Sequence, residues 1–308
     1  MSKRGRLELL SKHKKLLTSN VLRWYGKNGR DLPWRNEHDP YRVLLSEVML
    51  QQTQVSRVLT KYPQFLKRFP SFKRLAEAKT SDVIKAWEGM GYNNRALRLQ
   101  KLAEVVLDKY QGKLPRDIQQ LETLPGIGRY TAHAVACFSF GQRVPIVDTN
   151  IRRVLTRVCP PGGRGRSPEE EETWTLAESF LPRRHAHDWN QALMDLGATI
   201  CTAALPKCDH CPLVSLCPSA HQVRRKKPAV RKSEPGNGGI PNRIFRGRTI
   251  QALRKLKSRQ TIATSVLAFR IKPDFQSTDR RWFESLLGGL EKDGLIRRVA
   301  RRRVSLPE

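Results

Sequence analysis

The 308-residue sequence has no run of eighteen or so apolar residues, the length a membrane-spanning helix needs, so no membrane association is expected. Its basic start, Met1 to Lys15, lacks the apolar stretch of a secretory signal, which makes a cytoplasmic location the expectation. Cysteine is scarce as well: six in a chain this long, without a signal, do not make a disulfide scaffold. Acidic residues are few, 28 Asp+Glu against 58 Lys+Arg, and the net charge of +30 far exceeds what solubility requires. Such an excess points to a polyanion, with nucleic acid the first partner to consider. A hydrophobic content of 39% excludes a disordered tail and suffices for two modest domains.

Apolar residues recur at three and four along residues 7–200, as in Leu17, Val21, Leu22, Trp24 and Tyr25, or Leu99, Leu102, Val105 and Val106. The turns between these stretches carry Gly or Pro, and no alternating strand pattern occurs, so an all-helical domain over residues 1–220 is expected. Residues 221–243 read as a basic flexible linker, from Arg224-Arg225-Lys226-Lys227-Pro228 to Glu234-Pro235-Gly236-Asn237-Gly238-Gly239. Residues 221–308 hold 23 Lys+Arg and 7 Asp+Glu. Within 244–308, helices are predicted at Thr249 to Leu256, Ile262 to Ile271 and Arg280 to Glu291, then strand-like Val299 and Arg301 to Leu306. Three helices and a basic ribbon make a winged-helix-like layout, whose third helix commonly enters a DNA groove. A small helical cap on the first domain fits the same pattern equally well.

Four cysteines, Cys201, Cys208, Cys211 and Cys217, read C-x6-C-x2-C-x5-C in the loop 201–217. Soft sulfur donors select zinc or an iron–sulfur cluster. A zinc ribbon usually pairs two C-x2-C knuckles, whereas one knuckle flanked by single cysteines favours a [4Fe-4S] cluster as the cofactor. Cys137 and Cys159 sit among apolar neighbours and read as packing residues.

Ile118 to Leu124 and Arg129 to Phe140 read as two helices joined by Pro125-Gly126-Ile127-Gly128. Glycines at i and i+2 permit positive φ and let backbone N–H groups approach an anion, helped by the following helix start and by Arg129. Glu47 lies in Val43-Leu44-Leu45-Ser46-Glu47-Val48-Met49-Leu50, an apolar setting that should raise a carboxyl pKa and keep a proton available. Asp148 follows Ile146-Val147 and suits an N-cap on the helix that carries Arg152 and Arg153.

Leu124-Pro125-Gly126-Ile127-Gly128, then Val147-Asp148-Thr149-Asn150, then the cysteine loop, resemble the helix–hairpin–helix DNA glycosylases in their iron–sulfur branch. Leu32-Pro33-Trp34-Arg35, the segment Ser46 to Val55 and Gln191 to Ala198 resemble, more narrowly, the A/G-mismatch adenine glycosylases of MutY type over about residues 15–220. The resemblance implies an all-α, two-lobed glycosylase, a monomer acting on mismatched double-stranded DNA at the nucleoid. It implies that Glu47 protonates adenine at N7 and then helps activate water, that Asp148 faces the anomeric carbon, and that Asn150 orients the site. Tyr130 stands where the endonuclease III type has a lysine; a phenol forms no Schiff base, so a monofunctional enzyme that leaves an abasic site is implied. Gln52 and Tyr92 match the residues inserted into the duplex, and Arg35 and Gln191 match contacts to the flipped base. Two departures stand out. Asn93 replaces a common second tyrosine, and residues 244–308 do not resemble the β-rich domain with which many members read 8-oxoguanine. The competing readings are a thymine, uracil or damaged-pyrimidine glycosylase on the same scaffold, and a non-catalytic iron–sulfur DNA-binding regulator.

Overall fold

Among the described residues from 3 to 199 there are eleven helices: α1 (Lys3–Asn28), α2 (Pro40–Leu50), α3 (Val55–Arg68), α4 (Phe72–Ala76), α5 (Thr80–Ala86), α6 (Asn94–Tyr110), α7 (Ile118–Glu122), α8 (Arg129–Phe138), α9 (Thr149–Val158), α10 (Glu170–Phe180) and α11 (Ala186–Thr199). The structure is a computed structural model that describes residues 3–160, 169–223, 234–257, 259–299 and 302–308, with backbone alone for 3–13. The helix boundaries have local causes. Pro40 opens α2 at the position where a missing N–H costs nothing, Ser71 caps α4 by accepting from Arg74 N, and Glu169 with Glu172 forms a capping box on α10. Among the described residues no helix is long and apolar enough to cross a membrane.

The chain divides into two units, each discontinuous in sequence. One comprises Met1–Val43, Arg116–Glu122 and Ile127–Ala229; the other comprises Leu44–Pro115, Thr123–Gly126 and Val230–Glu308. In the first unit α11 is the central helix, buried at every residue from Trp189 to Gly197, with α1, α8 and α9 packed against it. The approach of α9 depends on Gly197, where a Cβ would stand 2.6 Å from Asn150 Cβ.

In the second unit α4 and α5 pack on α6, around Trp87 and Phe65 in an edge-on pair 5.6 Å between ring centroids. The same unit holds α12 (Asn242–Arg254), α13 (Thr264–Ile271) and α14 (Arg280–Lys292), with strands β1 (Gly236–Asn237), β2 (Ile240–Pro241), β3 (Ile262–Ala263), β4 (Arg297–Val299) and β5 (Arg303–Ser305). β1 and β2 pair as a hairpin, and the other three form an antiparallel sheet in the order β3-β5-β4, with Val304 opposite both Ile262 and Arg298. Phe245, Leu253, Leu267, Leu287 and Val304 make one core with Ile84 of α5, which is fully buried in it. The last eighty residues are therefore not packed among themselves alone.

Three expectations need correction. The first helix of the tail begins at Asn242, seven residues before the apolar pattern indicates, because Asn242 Oδ1 accepts from Trp282 Nε1 at 2.7 Å and fixes that start against α14. Ile262 and Ala263, read as helix, pair with β5 instead. Residues 234–243, read as flexible linker, contain the β1–β2 hairpin, whose Asn237 donates to Asp279 at 2.8 Å. The basic run Arg224 to Lys227 and most of the Pro160 to Gly163 turn lie outside the described residues.

Candidate active site

Glu47 sits in the second turn of α2, 6% exposed, with Leu44, Leu45, Val48 and Met49 buried beside it. The burial follows from the apolar segment in which it lies.

Asp148 is the N-cap of α9, and its two oxygens have different partners: Oδ1 accepts from Ile151 N at 2.6 Å and Oδ2 from Asn150 Nδ2 at 2.8 Å. Burial pushes its carboxyl above the usual aspartate range, against the pull of these bonds and of the Arg153 guanidinium. Asn150 Oδ1 in turn accepts from Arg153, which also donates to Gly197 O at 2.6 Å and Cys201 O at 2.7 Å. The chain entering α9 is held by buried Asn190, which accepts from Ile146 N at 3.2 Å and donates to Val144 O at 3.1 Å. The orientation of Asp148 is thus set from both sides.

Arg35 and Gln191 meet in the same unit, buried and bonded to each other. Arg35 Nη1 donates to Gln191 Oε1 at 2.7 Å, Arg35 Nη2 donates to Asp195 Oδ1 at 2.5 Å, and Tyr25 Oη donates to Gln191 Oε1 at 3.0 Å. Gln191 Nε2 also donates back to Arg35 O at 3.2 Å. Asp195 is fully buried and is matched by two guanidiniums, since Arg30 reaches it at 2.7 Å. Among the described residues, Arg35 Nε remains a buried donor without a partner.

Gln52 and Tyr92 belong to the other unit and share two features: both are exposed and both have positive φ, 54° and 42°, a costly region for residues other than glycine. Arg95 explains how that backbone is held. Its Nη1 donates to the carbonyls of Val48 (2.8 Å), Met49 (3.1 Å) and Gln51 (2.6 Å), and its Nη2 donates to Thr53 Oγ1 (2.9 Å), Met90 O (3.0 Å) and Gly91 O (3.3 Å). One buried guanidinium clamps both loops, and burial lowers its pKa to about 10. A cavity of about 510 Å³ opens beside them, lined by Gln52, Tyr92, Asn93 and Arg98 and, from α12, by Arg243 and Arg246.

The glycine turn differs from expectation in one respect. Gly126 has φ +81° and lies close under Arg98, where a Cβ would meet Arg98 Cβ at 3.1 Å; Gly128 has φ −106° and ψ 176°, an extended conformation open to any residue. What distinguishes Gly128 is empty space around its Cβ position at the start of α8, leaving the helix N-terminus accessible. Tyr130 is half-buried in the first turn of α8. Arg129 stacks on the Trp174 ring at 4.2 Å and pairs with Glu171.

Cys201, Cys208, Cys211 and Cys217 line one cavity with apolar walls from Val154, Leu196 and Leu213. Arg157 Nη1 points at Cys201 Sγ at 3.3 Å, and His221 N at Cys208 Sγ at 3.4 Å. Burial pushes the Cys211 thiol to about 11 and raises Cys217, so thiolates there require a positively charged centre. Among the described residues, no group of three or more His, Cys, Asp or Glu is gathered closely enough to hold a single metal ion.

Sequence reasoning missed Arg95, Asp195 and Arg153. In a chain this basic no single arginine stands out, and the available signal was Asp195, an acid within the apolar run Ala192 to Gly197 of α11.

Comparison with known proteins gives a consistent picture. A family model described as HhH-GPD superfamily base excision DNA repair protein matches residues 45–181. The adenine DNA glycosylase of Mycobacterium tuberculosis is 39% identical over 291 residues, covering 94% of this chain and 93% of that protein. The human adenine DNA glycosylase is 40% identical over 218 residues, 68% of this chain and 40% of that protein. Among solved structures, that of a thermostable thymine-DNA glycosylase superposes with a TM-score of 0.66 at 33% identity, covering 70% of this chain and 99% of that one.

Proposed function

Because this chain belongs to the HhH-GPD superfamily of base excision DNA repair proteins, we propose that it is a monofunctional adenine DNA glycosylase acting, as a monomer, on adenine opposite guanine or 8-oxoguanine in duplex DNA. The observation that carries this reading is a pair of carboxyls set in regular structure, Glu47 buried within α2 and Asp148 at the N-cap of α9. Glu47, buried in α2, stands where the family pattern has its proton donor; Asp148, at a helix start with Ile151 N and Asn150 Nδ2 donating to it, is held in place to face a cationic sugar. Glu47 delivers its proton to adenine N7, and the N9–C1′ bond breaks with its electron pair leaving on the base. Asp148, oriented by Asn150, stabilises the cationic sugar. Water then adds at C1′ and gives up a proton to Glu47, which restores the acid. Tyr130 supplies no amine, so the product is an intact abasic strand. Arg35 and Gln191 line the base pocket, Gln52 and Tyr92 fill the gap in the duplex, and Gly126, Gly128 and Arg129 grip a backbone phosphate.

The four cysteines fit a [4Fe-4S] cluster by their spacing and their shared cavity, and such a centre would supply the charge that keeps buried thiolates ionised and the loop closed. Iron and acid-labile sulfide in equal amounts, near four per chain as the cluster's formula requires, support it; stoichiometric zinc refutes it. For residues 244–308 the winged-helix reading rests on the order helix, strand, helix, helix, strand, strand and on their basic charge. The core shared with Ile84 supports the capping role in addition.

The likeness to a thymine-DNA glycosylase keeps a pyrimidine substrate as the second reading, and Glu47 argues against it, because protonation at N7 is a purine's requirement. Single-turnover assays on duplexes carrying G:A, 8-oxoguanine:A, G:T and G:U decide the matter. Release of adenine alone supports the proposal, and release of thymine or uracil without adenine overturns it.

A further inference from the structure

Asn93 occupies the N-cap position of α6, and asparagine is among the best N-caps, yet its side chain makes no capping bond. Its Oδ1 instead accepts from Arg254 Nη2 at 2.8 Å. Arg254 is the last residue of α12, and the same guanidinium donates twice to Ile84 O of α5, at 2.9 and 3.0 Å. Asn93 follows directly on Tyr92, whose φ of 42° is disfavoured and which is 62% exposed. The tail therefore reaches, through one half-buried arginine, the residue next to the most exposed aromatic side chain of the unit. Helix α12 also walls the cavity in which Tyr92 and Gln52 stand.

We propose that Arg254 is a positioning residue for duplex insertion: by holding Asn93 and the end of α5 together, the C-terminal segment fixes the backbone that presents Tyr92 to DNA. A loop in a strained conformation needs restraint from outside itself, and Arg95 supplies it at Met90 O and Gly91 O while Arg254 supplies it at Asn93 Oδ1. The substitution of asparagine for an aromatic residue at position 93 is then the adaptation that lets this particular tail take hold, since a phenol in its place presents no carbonyl acceptor to the guanidinium.

This inference rests on the adenine glycosylase reading, and the test separates the two. In the full-length protein, Arg254→Met keeps the aliphatic stem and removes every donor; Asn93→Ala removes one acceptor and leaves the bonds to Ile84 intact; Arg254→Lys restores a single donor. The readouts are the fluorescence rise of 2-aminopurine opposite guanine on flipping, the single-turnover rate of adenine release, and duplex affinity. The expected result is a rate about tenfold lower for Arg254→Met and for Asn93→Ala, the worth of one charge-assisted hydrogen bond, with a smaller fluorescence rise and no matching loss of affinity. The double variant should be no slower than the slower single one, and Arg254→Lys should recover part of the rate. If Asn93→Ala flips 2-aminopurine as the parent does, or if the two losses add, the positioning role is wrong, whatever Arg254→Met does to folding. If the parent protein itself neither flips 2-aminopurine nor releases adenine, the functional reading has failed and this inference falls with it.

Discussion

The two units hold their candidate functional residues in opposite ways. In the first, side chains bind side chains: Arg35, Gln191 and Asp195 close on one another, and Asp148, Asn150 and Arg153 form a second chain of bonds that ends on the carbonyls of Gly197 and Cys201. In the second, a guanidinium binds backbone: Arg95 gathers five carbonyls and a hydroxyl, and leaves Gln52 and Tyr92 themselves exposed. The difference suits the roles proposed for Asp148 in the first unit and for Gln52 and Tyr92 in the second. Groups that act on one bond must be fixed at their own polar atoms, whereas groups that push into a stack of bases need a rigid backbone and a free side chain.

Substitutions can break each half of that comparison, and the largest effect is expected at Glu47. Glu47→Gln keeps the shape and loses the proton, so single-turnover adenine release should fall about 10³-fold while duplex binding persists; a near-parental rate removes Glu47 from the mechanism. Asp148→Asn should cost about 10² in rate. It should not cost stability at neutral pH, because an asparagine also caps α9, and because burial has raised the Asp148 pKa. The sign follows from linkage: a carboxyl that binds its proton more tightly when folded loses stability for the fold as pH rises from the ordinary aspartate value through the raised one. Urea titration of the two proteins at neutral pH checks it, and a midpoint well below the parent contradicts it.

Asn150→Ala sharpens the same point. Asn150 holds the Asp148 pKa down, and the reaction needs the ionised form, so the acid limb of the pH–rate profile should move to higher pH in the variant; an unmoved limb means that another group controls it. In the second unit, Arg95→Met should destabilise by about 3 kcal/mol, since several buried carbonyls lose a charged donor, as read from urea unfolding. The smallest effect should come from Gly197→Ala, about 2 kcal/mol, because the new methyl group meets Asn150 Cβ at 2.6 Å and α9 must move away from α11. A rate loss larger than the stability loss would show that the bond from Asn150 to Asp148 had moved too.

The helices, the burial of Glu47, the capping by Asp148 and the gathering of four cysteines on one loop were legible in the sequence, because periodicity and spacing are local. Arg95 was not, since its six acceptors come from two separate stretches of chain and none carries a signal of its own. The pairing of Asp195 with Arg30 and Arg35 spans more than 150 residues and was hidden for the same reason. Gly128 resembled a residue chosen for positive φ and proves to be extended. The tail stayed open between a DNA-binding appendage and a cap on the first domain, because composition, which changes abruptly at residue 221, does not report that Ile84 completes its core.

That shared core bears on how the chain is made. Leu44 to Pro115 leaves the ribosome more than a hundred residues before Val230, and Val304 and Leu306 emerge last of all the residues that bury Ile84. Until then the core around Ile84 is incomplete, and the contacts that close it are, among the described residues, some of the longest in sequence separation. Such closure is slow and leaves the nascent chain open to association with its neighbours. Newly synthesised copies halted anywhere before residue 300 should therefore be recognised by chaperones even though the unit containing α11 could already be complete.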